Sequence, residues 1–183
     1  MLDFASAPAM FDSSDLSDYG DMSGDVVESA VDMLRRACGW HIAPTWEQTV
    51  RIDVDPQVCR SPFTLFLPTL HLISVDAVQD TAAASAITDY TWSHRGYLER
   101  VTPWPTGLGA VSVTFTHGLP VVPRDLAPVV AELARDAQVA AAAGTSGGAL
   151  EQMGPFRFAS GRGAAFAEYG GSVPAKYRIL PRM

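Results

Sequence analysis

Lysine is almost absent from this sequence: Lys176 is the single one among 183 residues, and the first basic residue of any kind is Arg35. Proteins that grip nucleic acid neutralise phosphates with clustered Lys and Arg, so this composition argues against that class. Cysteine is scarce as well. Cys38 and Cys59 are too few for a disulfide framework, and both sit beside apolar residues, where a thiol behaves as a small buried hydrophobe; one disulfide stays open. Long apolar runs are missing. The longest stretch without a charged residue, 101–123, holds four prolines and three glycines, which a membrane helix of roughly 20 apolar residues tolerates poorly, so no membrane span is expected. The acidic beginning, with no basic residue ahead of an apolar run, does not read as a secretory leader, and a cytoplasmic product is expected.

What is present is enough for one sizeable core, because 48% of the residues are hydrophobic. Charge is distributed unevenly. Residues 1–30 carry seven acids and no base, while residues 151–183 carry five bases and two acids, within a net charge of −7. Runs of like charge are commonly solvated tails; the alternative is that the two ends meet complementary surfaces on neighbours.

Residues 1–22, rich in Asp, Ser, Ala and Gly, lack sustained periodicity and read as a flexible or partner-ordered segment with a short helical turn near 15–19. From Asp25 to Cys38 the apolar residues Val27, Val31, Leu34 and Cys38 recur at helical spacing, with Ser23 as N-cap and Gly39 at C′. Asp25 and Glu28 near its start and Arg35 and Arg36 at its end suit the helix dipole. The period then changes to two: Val50, Ile52 and Val54, then Phe63, Leu65 and Leu67, predict strands, as do 73–78 and 89–92. Ser93 to Gly96 reads as a hairpin turn into 97–101, and Val111, Val113 and Phe115 give the clearest strand signal. A second helix is predicted from 123–125 to about 143, with Leu126, Val129, Val130, Leu133 and Ala137 on its apolar stripe and Gly144 stopping it. Its small-residue end, 140–143, reflects either alanine's helix propensity or close approach of another helix. The expected fold is α+β: helices packed around a small antiparallel β element, with an extended C-terminal tail. This gives an acidic segment 1–22, a core 23–143, and a hinge and docking tail 144–183.

Each candidate catalytic constellation lacks something its chemistry needs. Cys38, His41, Cys59 and His71 supply one loose pair and two singles, whereas a zinc site needs about four ligands in tight pairs. Ser93, His94 and Asp89 could be imagined as a triad, yet no G-x-S-x-G elbow exists and the stretch looks like a hairpin tip. Gly144-Thr145-Ser146-Gly147-Gly148 lacks the lysine of a phosphate loop, and Gly161-Arg162-Gly163 is equally weak. His117, ahead of Gly118, reads as capping a strand end by hydrogen bonding. The expectation is a non-enzymatic protein without metal or cofactor, with a small hydrolase using His94 or His117 as the competing class.

Four runs, RRACGWHIAP (35–44), LFLPTLHLISVDAV (65–78), VTFTHGLPVVPRDLAPVVAELA (113–134) and EQMGPFRF (151–158), resemble in that order the head-to-tail adaptor (connector) proteins of tailed phages infecting actinobacteria. The resemblance spans roughly residues 25–158; AKYRILPRM (175–183) continues past the usual Tyr-Arg ending. It implies helices around a β-rich element and a dodecameric ring around the DNA channel, placed in the virion neck and assembled in the host cytoplasm. It also implies a portal protein on one side and a head-closure or tail-completion protein on the other, with no cofactor. Head-closure and tail-terminator proteins are the alternatives within the structural class. An acidic channel wall would repel phosphates and let DNA slide. The aromatics of residues 151–183 cannot form a core alone, so they must lie on their own domain or on a partner. Portal docking is expected through Phe156, Phe158, Tyr177, Ile179 and Leu180 as apolar anchors and Arg157, Arg178 and Arg182 as charge partners.

Overall fold

The computed structural model describes Phe4 and residues 6–55, 61–142, 152–153, 156–157 and 173–179. The chain divides into two units, Met1–Gly39 with Val122–Met183, and Trp40–Val121. Helices and antiparallel sheets make it α+β, as the alternation of sequence periods predicts.

In the first unit, α1 (Gly24–Cys38) and α2 (Ala127–Ala142) pack together. The buried face of α1 is Val27, Ala30, Val31, Leu34, Arg35 and Cys38, and that of α2 includes Val129, Val130, Leu133 and Ala134 after the buried Leu126 of a 3-10 turn. Ser23 is the N-cap of α1, although its hydroxyl makes no capping bond; its carbonyl takes the amides of Val26 and Val27. Gly39 ends the helix in the left-handed region at φ 81°, donating its N–H to the Arg35 carbonyl at 2.8 Å.

The acidic N-terminal segment belongs to this unit. It forms a 3-10 helix over Ser13–Tyr19, and Phe4, Met10, Leu16 and Met22 are buried. These four are spaced six residues apart, a period that matches neither helix nor strand, which is why periodicity reads the segment as loose. Long side chains tie it down by its backbone. Arg35 Nη2 donates to the Pro8 carbonyl at 2.7 Å, Arg135 donates to the Tyr19 carbonyl through Nε (3.1 Å) and Nη2, and Gln138 Nε2 reaches the Asp21 carbonyl at 3.4 Å. Burial lowers the Arg35 pKa from 12.5 to about 10 against the raising effect of Asp32 and Glu28.

Among the described residues, the regular elements of the second unit are all β. β1 (Trp46–Val54), β7 (Gly107–His117), β3 (Leu72–Asp80) and β4 (Ser85–Ala86) form an antiparallel sheet in the order β1-β7-β3-β4. β2 (Thr64–Phe66), β6 (Tyr97–Arg100) and β5 (Tyr90–Ser93) form a second sheet in the order β2-β6-β5. Both sheets feed one core. Val111, Val113 and Phe115 of β7 are fully buried with Leu72 of β3 and Leu98 of β6, joined by Leu65, Val78 and Trp104. The turn between β5 and β6 ends at Gly96, φ 77°, where a Cβ would overlap the Thr69 carbonyl, so only glycine fits.

Candidate interaction surfaces

The predicted docking residues separate into three groups. Phe156 and Arg157 form β9 (Phe156–Arg157), which pairs antiparallel with β8 (Gln152–Met153) in a sheet of its own. Phe158, Leu180 and Arg182 lie outside the described residues. Tyr177, Arg178 and Ile179 lie at and just beyond the end of α3 (Val173–Tyr177).

α3 is anchored to the helical unit of its own chain. The Tyr177 hydroxyl donates to Asp125 Oδ1 at 2.9 Å, and Lys176 Nζ stands 3.3 Å from Asp125 Oδ2. Partial burial, then the bond to Asp125 and its charge, push the Tyr177 phenol up to about 12, so it stays a donor at neutral pH. Ile179 donates its N–H to the Cys38 carbonyl at 2.8 Å, satisfying a carbonyl that the end of α1 leaves without a helical partner. Burial raises the Cys38 thiol to about 11 against the opposing charge of Arg178, so the thiol is neutral and unreactive there. Arg178 is exposed.

In the β unit, the connection from β6 to β7 is braced by Arg100, Thr102 and Trp104. Arg100 holds both carboxylate oxygens of Asp89, Nη2 lying 2.8 Å from Oδ1 and 2.9 Å from Oδ2, and its Nη1 donates to the Pro103 carbonyl at 3.3 Å. Its guanidinium also lies 5.0 Å from the centre of the Trp104 ring. Thr102 donates to Asp89 at 2.9 Å, and the Trp104 indole N–H donates to the Phe63 carbonyl at 3.0 Å. The hydrogen bonds from Arg100 and Thr102 hold Asp89 below its ordinary pKa of 3.8. This brace presents Val101 and Leu108 at 93% and 92% exposure. A rigid loop with exposed aliphatic side chains loses little entropy when a partner covers it. The sequence shows Pro103 and Pro105 in this connection but not the brace, whose partners Asp89 and Phe63 lie well upstream in the chain.

The histidines do not assemble a catalytic group. Asp89 is engaged by Arg100, and His94 Nδ1 lies 3.1 Å from the Leu72 carbonyl, so the imagined Ser93-His94-Asp89 arrangement does not form. His117 corrects the expectation of a hydrogen-bonding cap. Its place in the alternation of β7 turns it inward with Val113 and Phe115, and neither ring nitrogen has a hydrogen-bond partner among the described residues. It packs 4.8 Å from Phe115 and 5.7 Å from His41, ring centre to ring centre, with Trp46 at 5.8 Å. Burial, with His41 adding to it, pulls its pKa from 6.5 to about 3. The strand end is held instead by His71, whose Nδ1 lies 3.1 Å from the Gly118 carbonyl. His41 Nε2 binds the Pro44 carbonyl. Among the described residues no three His, Cys, Asp or Glu side chains come together as a metal site would require, and no helix is long and apolar enough to cross a membrane.

Two solved structures share the fold, both from the necks of gene-transfer particles. One solved structure, described as "Neck of native GTA particle computed with C12 symmetry", matches with a TM-score of 0.56 and 16% identity, covering 93% of this chain and 89% of that one. A second, "Neck of empty GTA particle computed with C6 symmetry", matches with a TM-score of 0.50 and 16% identity over 87% of this chain and 77% of that one. No family model and no curated protein matches the sequence. Each match covers most of the chain at low identity, so the likeness is one of fold.

Proposed function

We propose that this chain is a structural subunit of the neck of a tailed-phage-like particle, where it forms a ring as a head-to-tail adaptor around the DNA channel. The observation that carries the reading is the shared fold over 93% of the chain with a neck structure of C12 symmetry. The resemblance of four sequence runs to phage adaptors supports it independently. A ring of twelve copies fits that symmetry, and a closed ring needs two different surfaces on each copy. The portal lies on one side and a head-closure or tail-completion protein on the other; the virion neck is the final location, after assembly in the host cytoplasm. DNA passes without specific binding, which suits a chain of net charge −7 with one lysine.

The tail reaches beyond its own fold in this reading. Tyr177 and Ile179 fasten it to the helical unit, while the exposed Arg178, with Phe158, Leu180 and Arg182, is left to meet the portal. Electron microscopy of the full chain mixed with the portal protein of its particle tests the function. A ring stacked on the portal is expected; a chain that stays monomeric at high concentration and leaves the portal bare overturns the reading. A ring that ignores the portal but caps a tail tube would make it a tail-terminator instead.

A further inference from the structure

The two edges of the four-stranded sheet are built differently. Along β3 the pairing with β7 is interrupted twice, between Leu72 and Ser74 and between Val75 and Ala77, and β4 covers its far end. Bulges and the exposed Asp76 guard that edge against another strand. β1 has no such guard over most of its length: its register with β7 is regular from Trp46↔His117 to Ile52↔Val111.

The backbone direction along β1 follows from β7. Thr81 donates to the Ala110 carbonyl at 2.9 Å and Gly118 donates to the His71 carbonyl at 3.0 Å, so the even-numbered residues of β7 turn their backbone groups toward β3. The odd-numbered residues then face β1 and, through the register Gln48↔Phe115 and Val50↔Val113, occupy the backbone groups of Gln48 and Val50. The N–H and C=O of Glu47, Thr49 and Arg51 are left pointing off the sheet, without a strand partner among the described residues. No proline or lysine interrupts them. The edge ends at Asp53, where the register shifts and the carboxylate takes the Gly109 N–H.

The molecule also carries a strand pair in need of a sheet. β8 and β9 are two residues each and, among the described residues, pair only with one another and belong to neither large sheet. An isolated hairpin is marginal in water, and one this short gains stability from a third strand. It lies in a segment of five bases and two acids, opposite in sign to the exposed Glu47 and Asp53 that flank the edge.

From these two halves we infer that the open edge of β1 receives the β8–β9 hairpin of a second copy of this chain, as an added strand. The interface is head-to-tail, because edge and hairpin are different surfaces, and repetition around an axis closes a ring. The inference rests on the neck-ring reading and names the joint that closes the ring.

Thr49→Pro removes an outward N–H without taking a bond from β7, and Phe156→Pro breaks the hairpin. Native mass spectrometry of the full-length proteins is expected to show rings for the wild type and at least about a tenfold loss of rings for each variant. Mixing the two variants leaves one intact hairpin and one intact edge, so a heterodimer is expected and no ring. Hydrogen exchange on the wild type supplies a readout independent of any variant's folding: the amides of Thr49 and Arg51 should slow at least about tenfold on assembly. A wild type without rings overturns both the neck reading and this one. Wild-type rings whose Thr49 and Arg51 amides exchange as in the monomer, variants that assemble normally, or a mixture without heterodimer overturn this inference alone.

Discussion

The β unit and the helical unit are held by different forces. In the β unit, strands that are neighbours in one continuous stretch of chain, 40–121, close on a core whose largest members, Phe115, Leu72 and Leu98, are fully buried. The helical unit gathers pieces from both ends of the sequence around α1 and α2, and fastens several of them by single long side chains reaching backbone carbonyls. Area burial grows with every apolar side chain, whereas such a tie contributes only about 0.5–1.5 kcal/mol net and is lost by one substitution. The β unit should therefore resist everything except a core deletion, and the helical unit should shed its outer segments one at a time.

The largest effect is expected where the apolar core is cut. Phe115→Ala should cost about 3–5 kcal/mol in urea unfolding, because Val111, Val113 and Leu72 cannot close over the cavity. Leu16→Ala comes next, at about 2–4 kcal/mol, since Leu16 is fully buried although it belongs to the acidic N-terminal segment. A solvated tail would give less than about 0.5 kcal/mol at that position, and such a result would remove the N-terminal segment from the helical unit.

That contrast also sorts what the sequence discloses. Val111, Val113 and Phe115 alternate with Ser112, Thr114 and Thr116, and α1 carries its apolar face and glycine stop in plain view, because a regular element imposes its period on the side chains it buries. Phe4, Met10, Leu16 and Met22 bury from an irregular path with no such period, so their burial is invisible before the fold. Division into two sheets is equally hidden: nothing local to β2 states that it pairs with β6 rather than β1. Of the tail, the sequence discloses its basic charge. It does not disclose that Tyr177 meets Asp125, 52 residues away, since a single polar contact leaves no pattern. His117 was legible as a strand end but not as a core residue, because β7 runs one alternation further than its turn signal suggests.

His117 gives the two-unit contrast a pH dependence. Its folded pKa, about 3, lies below the ordinary 6.5, so the unfolded chain takes up a proton in this window that the native chain refuses. The contribution is complete above pH 6.5 and falls as pH drops from 6.5 toward 3, by up to about 1.4 kcal/mol per pH unit. His117→Phe keeps an aromatic ring against Phe115 and Trp46 and removes the titration. Its unfolding free energy, measured between pH 4 and 6.5, should have a shallower slope than the wild type by about one proton. Equal slopes would mean that another group carries the acid sensitivity.

The smallest expected effect falls on the outermost tie. Tyr177→Phe removes the hydroxyl that Asp125 accepts and leaves the ring in place, so it should cost about 0.5–1.5 kcal/mol at most. Because α3 spans five residues, too few to persist alone, the loss should appear as local release rather than as global unfolding. Hydrogen exchange reads this directly: the Ile179 amide, bonded to the Cys38 carbonyl, should exchange several-fold faster in the variant while the amides of β7 remain unchanged. If the β7 amides speed up equally, the tail is coupled to the β core and the two regions unfold as one. If only Ile179 responds, the tail is a separable fastening, and a partner surface could displace it without disturbing the fold it leaves.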